Sequence, residues 1–124
     1  MSHMNTNEIL TALKTVRAPA LPGEYDLHGM IADALAQSGI AFVHECPIAP
    51  RRRIDFLAGT IGIEVKKGRP DRRTLLAQIT RYLESGRLSE IVVVMQRAVS
   101  LPERVLGRRV TVVSLNRLWG VALP

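Results

Sequence analysis

Residues 51–68 read RRRIDFLAGTIGIEVKKG, and the order of residue types in this stretch sets the architecture around it. Gly59-Thr60 separates two runs rich in β-branched and apolar residues, the pattern of a two-residue hairpin whose first central residue is glycine, as a type II′ turn prefers. The register then has no freedom. Ala58 opposes Ile61, Leu57 opposes Gly62, Phe56 opposes Ile63, Asp55 opposes Glu64, Ile54 opposes Val65 and Arg53 opposes Lys66. One face is Ile54, Phe56, Ala58, Ile61, Ile63 and Val65, all apolar, which assigns it to a core.

The other face collects Arg53, Asp55, Leu57, Gly62, Glu64 and Lys66. Two carboxylates opposed across a strand pair repel unless something positive lies between them. A divalent cation fits, and hard oxygen ligands without a cysteine partner select Mg²⁺ or Mn²⁺ over Zn²⁺. Gly62 would leave room for a ligand or another backbone to approach. Lys66 stands two residues beyond Glu64 on the same side, where its ammonium can hold a water and meet charge developing on a phosphate. A solvated face laced with cross-strand salt bridges is the competing account of the same residues.

Outward from the hairpin, the chain alternates helix and strand signals. Apolar positions Leu27, Met30 or Ile31, Ala34 and Leu35, ending at Gly39, predict an amphipathic helix from Glu24 to Ser38. A strand is expected over Ile40 to Pro47, then the two hairpin strands, Arg52 to Ala58 and Ile61 to Lys67. Asp71 can cap a second helix bearing Leu75, Leu76, Ile79, Tyr82 and Leu83 and ending at Gly86. Ile91-Val92-Val93-Val94-Met95 reads as a central strand buried on both faces. Pro102 to Leu106 is expected to form one helical turn, Val110 to Leu115 a short strand, and the Trp119 tail to pack on the sheet. Upstream, Met1-Ser2-His3-Met4 has the form of a cloning remnant. Residues 5–22 hold a short helix, capped by Asn5 or Asn7 and carrying Ile9, Leu10, Leu13 and Val16, and a Pro-rich linker. That segment reads as an appendage to a single domain over 23–124. The fold class expected is α/β, an αβββαβ core with a mixed central sheet flanked by helices.

Composition bounds the function. A chain of 124 residues with 47% hydrophobic and 23% charged residues is the size of one globular domain. No run is long and apolar enough for a membrane span or a secretory signal, so a soluble cytoplasmic protein with no membrane role is expected. One cysteine, Cys46, excludes an intramolecular disulfide and a thiolate metal cluster. The net charge is +6, with 14 Arg against 3 Lys, and arginine forks suit phosphate. Tyr25, Phe42, Phe56, Tyr82 and Trp119 do not form the basic and aromatic stripe that stacks single-stranded bases.

With Asp55 in "RRRIDFLAG" and Glu64-Val65-Lys66 in "IGIEVKKG" at these strand positions, the chain from Glu24 to Met95 resembles the PD-(D/E)xK nuclease superfamily. That is the restriction-endonuclease-like fold, which includes archaeal-type Holliday junction resolvases and phage nucleases. The resemblance implies Mg²⁺-dependent cleavage of DNA phosphodiester bonds. Asp55, Glu64 and the Val65 carbonyl would hold metal, Lys66 would orient the attacking water, and products would carry 5′-phosphate and 3′-hydroxyl ends. The family's further acid from the first core helix falls on Glu24 or, counted back from Gly39, nearer His28. Helix-dipole stabilisation accounts equally for a glutamate at Glu24, and an ordinary partly buried or surface histidine accounts for His28. Gln78 and Tyr82 resemble the family's Q-x-x-x-Y element, although Tyr82 also belongs to the apolar stripe of its helix. Arg51, Arg52, Arg53, Lys67, Arg69, Arg72, Arg73 and Arg81 surround the site in sequence and would bind backbone phosphates. A homodimer would set two sites on one substrate. The rival readings are an inactive nucleic-acid-binding or structural domain of the same fold, and an RNA-cleaving relative using His28 or His44 as general acid or base.

Overall fold

The computed structural model describes residues 5–16 and 24–115, with side chains of the second segment from Leu27 onward. The expected cloning remnant, the Pro-rich linker and the Trp119 tail lie outside the described residues. The elements run α1 (Thr6–Leu13), α2 (Glu24–Gln37), β1 (Val43–Ala49), β2 (Arg52–Ala58), β3 (Ile61–Lys66), α3 (Arg72–Glu84), β4 (Glu90–Met95), β5 (Arg104–Val105) and β6 (Arg108–Ser114). Six strands form one mixed sheet in the order β1-β2-β3-β4-β6-β5. The β1–β2 and β2–β3 pairs are antiparallel, and β4 runs parallel to both β3 and β6. The α/β class and the serial αβββαβ core are as the sequence indicates. Among the described residues, no helix is long and apolar enough to cross a membrane.

Helix starts follow from capping. Asn5 accepts the Glu8 N–H at 3.0 Å to open α1, and Asp71 accepts the Thr74 N–H at 2.9 Å and the Thr74 hydroxyl at 2.7 Å to open α3. These bonds favour the ionised side chain and hold the Asp71 carboxyl below its usual pKa. The segment carrying α1 is no appendage. Ile9, Ala12, Leu13 and Val16 are buried in the same cluster as Leu27, Ile31 and Leu35 of α2 and as Ile63, Val65, Val92 and Val94 of the sheet. Thr6 also hydrogen-bonds the Glu90 carboxylate at the start of β4. On the opposite face, α3 lays Leu75, Ile79, Tyr82 and Leu83 on Ile91, Val93 and Met95. Strand β4 is therefore covered on both sides, as its uninterrupted β-branched run requires.

The hairpin closes as expected, with Ala58↔Ile61, Leu57↔Gly62 and Phe56↔Ile63 paired and Gly59 at φ +63°. Two details differ. The ladder between β2 and β3 stops at Phe56↔Ile63, so Ile54 and Arg53 do not pair with Val65 and Lys66. Ile54 is buried, yet it packs in the α3-side core while Phe56 packs in the α2-side core. Residues two apart in a regular strand share a face, so the alternation breaks at Asp55. Strand β1 changes phase with it. His44 stacks on Phe56 with ring centroids 4.7 Å apart, Cys46 joins Ile54 in the other core, and Glu45 between them has φ +52°.

Downstream, the helical turn expected over Pro102 to Leu106 is instead half of a hairpin. Val105 pairs with Arg108 across a two-residue turn, and Leu106 and Gly107 both have positive φ, +52° and +74°. Leucine at a left-handed position gives no sequence cue for such a turn. Gly62 also has a different purpose from the one its sequence position suggests. A Cβ there would meet Leu88 Cδ1 at 2.9 Å and Ile54 Cδ1 at 3.3 Å, so the space is filled by the core rather than kept for a ligand. Gly62→Ala is expected to cost about 1–3 kcal/mol by overpacking. Chemical denaturation checks it, and pairing with Leu88→Ala should give a double variant less destabilised than the sum of the two single changes.

Candidate active site

Where the β2–β3 ladder stops, side chains take over the hydrogen bonds that backbone would have made. Asp55 Oδ2 accepts the Val65 N–H at 2.8 Å, and Glu64 Oε1 accepts the Asp55 N–H at a long 3.4 Å. The exchange draws the two acids together at the point where the strands part, as their expected opposition requires, though not as a ladder pair. Val65 itself points into the α2-side core.

Glu64 is the buried member. Its side chain is 4% exposed, and its Oε2 lies 3.2 Å from Lys66 Nζ and accepts a 3.2 Å bond from Gln78 Nε2. Gln78 Nε2 also donates to the Tyr82 hydroxyl at 2.9 Å, and that hydroxyl donates to the Arg53 carbonyl at 2.9 Å. Helix α3 is thus tied to both hairpin strands through the i, i+4 pair. Burial pushes the Glu64 carboxyl up to about 7, with the Asp55 charge adding to the rise and Lys66 opposing it. Burial also raises the Tyr82 hydroxyl, which keeps it a neutral donor.

On the α2 side, His28 Nε2 is 3.7 Å from Asp55 Oδ2, and His28 Nδ1 is 2.9 Å from His44 Nε2. His28 therefore stands beside the acids as a neighbour of Asp55. Glu24 opens α2, but its side chain lies outside the described residues. The role of His44 in this cluster had no sequence signal beyond its being a histidine. It arrives only because β1 and α2 meet over Phe56.

The expected basic residues divide. Arg51, Arg52, Arg53, Arg73 and Arg81 line a cleft of about 680 Å³ together with Lys66, Gln78 and Tyr82, so Glu64 lies directly behind the cleft's polar floor. Lys67, Arg69 and Arg72 do not line it. Lys67 and Arg69 are exposed on the connection to α3, and Arg72 Nε donates to the Ser100 carbonyl at 2.8 Å. Thr74, whose hydroxyl is spent on the Asp71 cap, and Ala77 complete the α3 wall, and neither carries a sequence signal for a site.

Two carboxylates, one buried and carrying a raised pKa, are a donor set suited to one hard cation that keeps water ligands. Among the described residues, no group of three or more His, Cys, Asp and Glu side chains is arranged to hold a metal ion by itself. The acids would have to share the ion with water and substrate oxygens, which is how Mg²⁺ commonly binds.

No family model matches the chain, and no curated protein matches it. A solved structure of a CdiA-CT/CdiI toxin and immunity complex from Burkholderia pseudomallei superposes at a TM-score of 0.39 with 18% identity, covering 81% of this chain and 88% of that one. A likeness that loose carries no functional inference.

The raised Glu64 pKa sets a pH dependence in metal-free protein. The folded state holds a proton that the unfolded chain releases near the ordinary value of 4.5, so stability falls as pH rises from there to about 7, and the full penalty applies above. Glu64→Gln removes this slope. Between pH 5 and pH 8 the variant should gain about 1–3 kcal/mol relative to wild type, read from urea midpoints at each pH. Parallel pH profiles for the two proteins would contradict it.

Proposed function

We propose that this protein is a Mg²⁺-dependent DNA endonuclease that hydrolyses phosphodiester bonds at the Asp55, Glu64 and Lys66 cluster. The observation that supports this best is the convergence of Glu64 on Lys66 Nζ, with Asp55 bonded across to Val65, behind a cleft walled by five arginines. An ordinary salt-bridged surface would not bury one acid of the set. The resemblance to PD-(D/E)xK nucleases assigns the same residues.

In this reading Asp55 and Glu64, with the Val65 carbonyl, hold the metal, which when bound supplies charge to the scissile phosphate and acidifies a water. Lys66, at the boundary between cleft and carboxylate, orients the attacking water and meets the charge that grows on the phosphoryl oxygens. Gln78 fixes the Glu64 carboxylate through Oε2, and Tyr82 fixes Gln78. Glu24 stands as the additional acid and His28 as an accessory beside Asp55. Water attacks phosphorus and the 3′-oxygen departs with a proton, which leaves 5′-phosphate and 3′-hydroxyl ends. A second reading, chelator-resistant RNA cleavage by histidine acid and base, draws support from the His28 and His44 hydrogen bond.

Cleavage of linear, nicked, flapped and four-way DNAs with Mg²⁺ or Mn²⁺ tests the proposal. Wild type should cut at least one of them, with Asp55→Asn, Glu64→Gln and Lys66→Ala each slower by about 10²-fold or more. Calorimetry should show Mn²⁺ binding that the Asp55→Asn/Glu64→Gln double variant loses. Intact DNA throughout, or variants as fast as wild type, would defeat it. RNA cleavage that survives excess chelator would favour the second reading.

A further inference from the structure

One wall of the cleft is a face of α3, where Arg73, Ala77 and Arg81 stand at i, i+4 and i+8. The stripe is about 12 Å long at 1.5 Å per residue. Ala77, the small central member, lets a ligand lie close against the helix between two guanidinium groups. Facing it is the β1–β2 turn. Ala49 pairs with Arg52, so Pro50 and Arg51 are the central turn residues, and Arg51 is held at φ +61°. A non-glycine residue there costs of order 1 kcal/mol. Proline at the first central position goes with a left-handed second residue, usually glycine, so the turn keeps a guanidinium at the position where glycine would be easier. The turn delivers Arg51, Arg52 and Arg53 to the cleft in succession.

Among the described residues that line the cleft, none offers a surface on which a base could stack: the aromatic there, Tyr82, is 3% exposed, and its hydroxyl accepts from Gln78 and donates to the Arg53 carbonyl. Grooves that hold single strands combine basic walls with open aromatic faces. A groove with arginine on both walls and no stacking platform suits a backbone whose bases are already paired with one another.

We infer that the cleft between α3 and the β1–β2 turn is a phosphate track for one strand of duplex DNA, gripped without reference to base sequence. One strand of a duplex carries a charge about every 3.4 Å along its axis, so the Arg73 to Arg81 stripe spans about three phosphates. The inference deepens the nuclease reading and rests on it for the position of the reacting phosphate at Lys66. The grip itself needs no metal and no turnover.

Binding of labelled short duplexes to Asp55→Asn protein in the presence of chelator isolates the track, because nothing can be cut. Arg73→Ala/Arg81→Ala should weaken binding about tenfold or more and lower the slope of log K against log salt by about 2, equally for duplexes of different base composition. Arg104→Ala/Arg109→Ala, on the β5–β6 hairpin, should change neither. Arg51→Gly should weaken binding several-fold while leaving thermal stability equal or higher, since it relieves the left-handed strain. Thermal melts of each variant exclude loss of fold as the cause. Equal effects from the two double variants, tighter binding of single strands than of duplexes, or dependence on base composition would overturn the track. The nuclease reading would survive each of those results, and a failure to cleave would leave this binding result standing.

Discussion

A carboxylate placed in the interior beside a second carboxylate is the constraint around which this protein is arranged. Glu64 sits on a strand between the buried Ile61, Ile63 and Val65, and among the described residues burial of its charge is offset by Lys66 and by donors from Gln78 and Asp55. Such a charge is strongly unfavourable unless paired and hydrogen-bonded. The neighbourhood supplies both, but incompletely, and the raised pKa records the shortfall. A cation shared with Asp55 would complete the neutralisation, so a group that weakens the metal-free fold is one a metal-bound fold would favour.

The break in β2 is the backbone counterpart of that constraint. Continuing the ladder past Phe56 would have filled Val65 N–H with a carbonyl, whereas Asp55 Oδ2 fills it instead. The phase change moves Ile54 to the α3 side, where it packs with Leu88 against Gly62. Among the described residues, two helices cover the α2 side of the sheet and one covers the other. The open cleft lies on the thinner side, where α3 leaves the β1–β2 turn uncovered.

Much of this was legible in the order of residues. The hairpin register at Phe56, Leu57 and Ala58, the Asp71 cap and the double burial of β4 follow from local rules of turn, cap and periodicity. Asp55, Glu64, Lys66 and Gln78 come together as the motif suggests, and five of eight marked basic side chains share one cleft. What was not legible depends on geometry that one strand cannot announce. The phase break needs Glu45 in a left-handed conformation on a neighbouring strand, and the β5–β6 turn places Leu106 where glycine or asparagine is the usual signal. The His28 and His44 contact joins residues 16 positions apart, from α2 and β1, over the face of Phe56.

The clasp between Thr6 and Glu90 joins residues 84 positions apart, and the hydrocarbon face of α1 is seated partly on β4. Loss of α1 would therefore uncover apolar surface on two neighbours at once, Leu27, Ile31 and Leu35 of α2 and Val92 and Val94 of β4, and would strip the start of β4 of its hydroxyl partner.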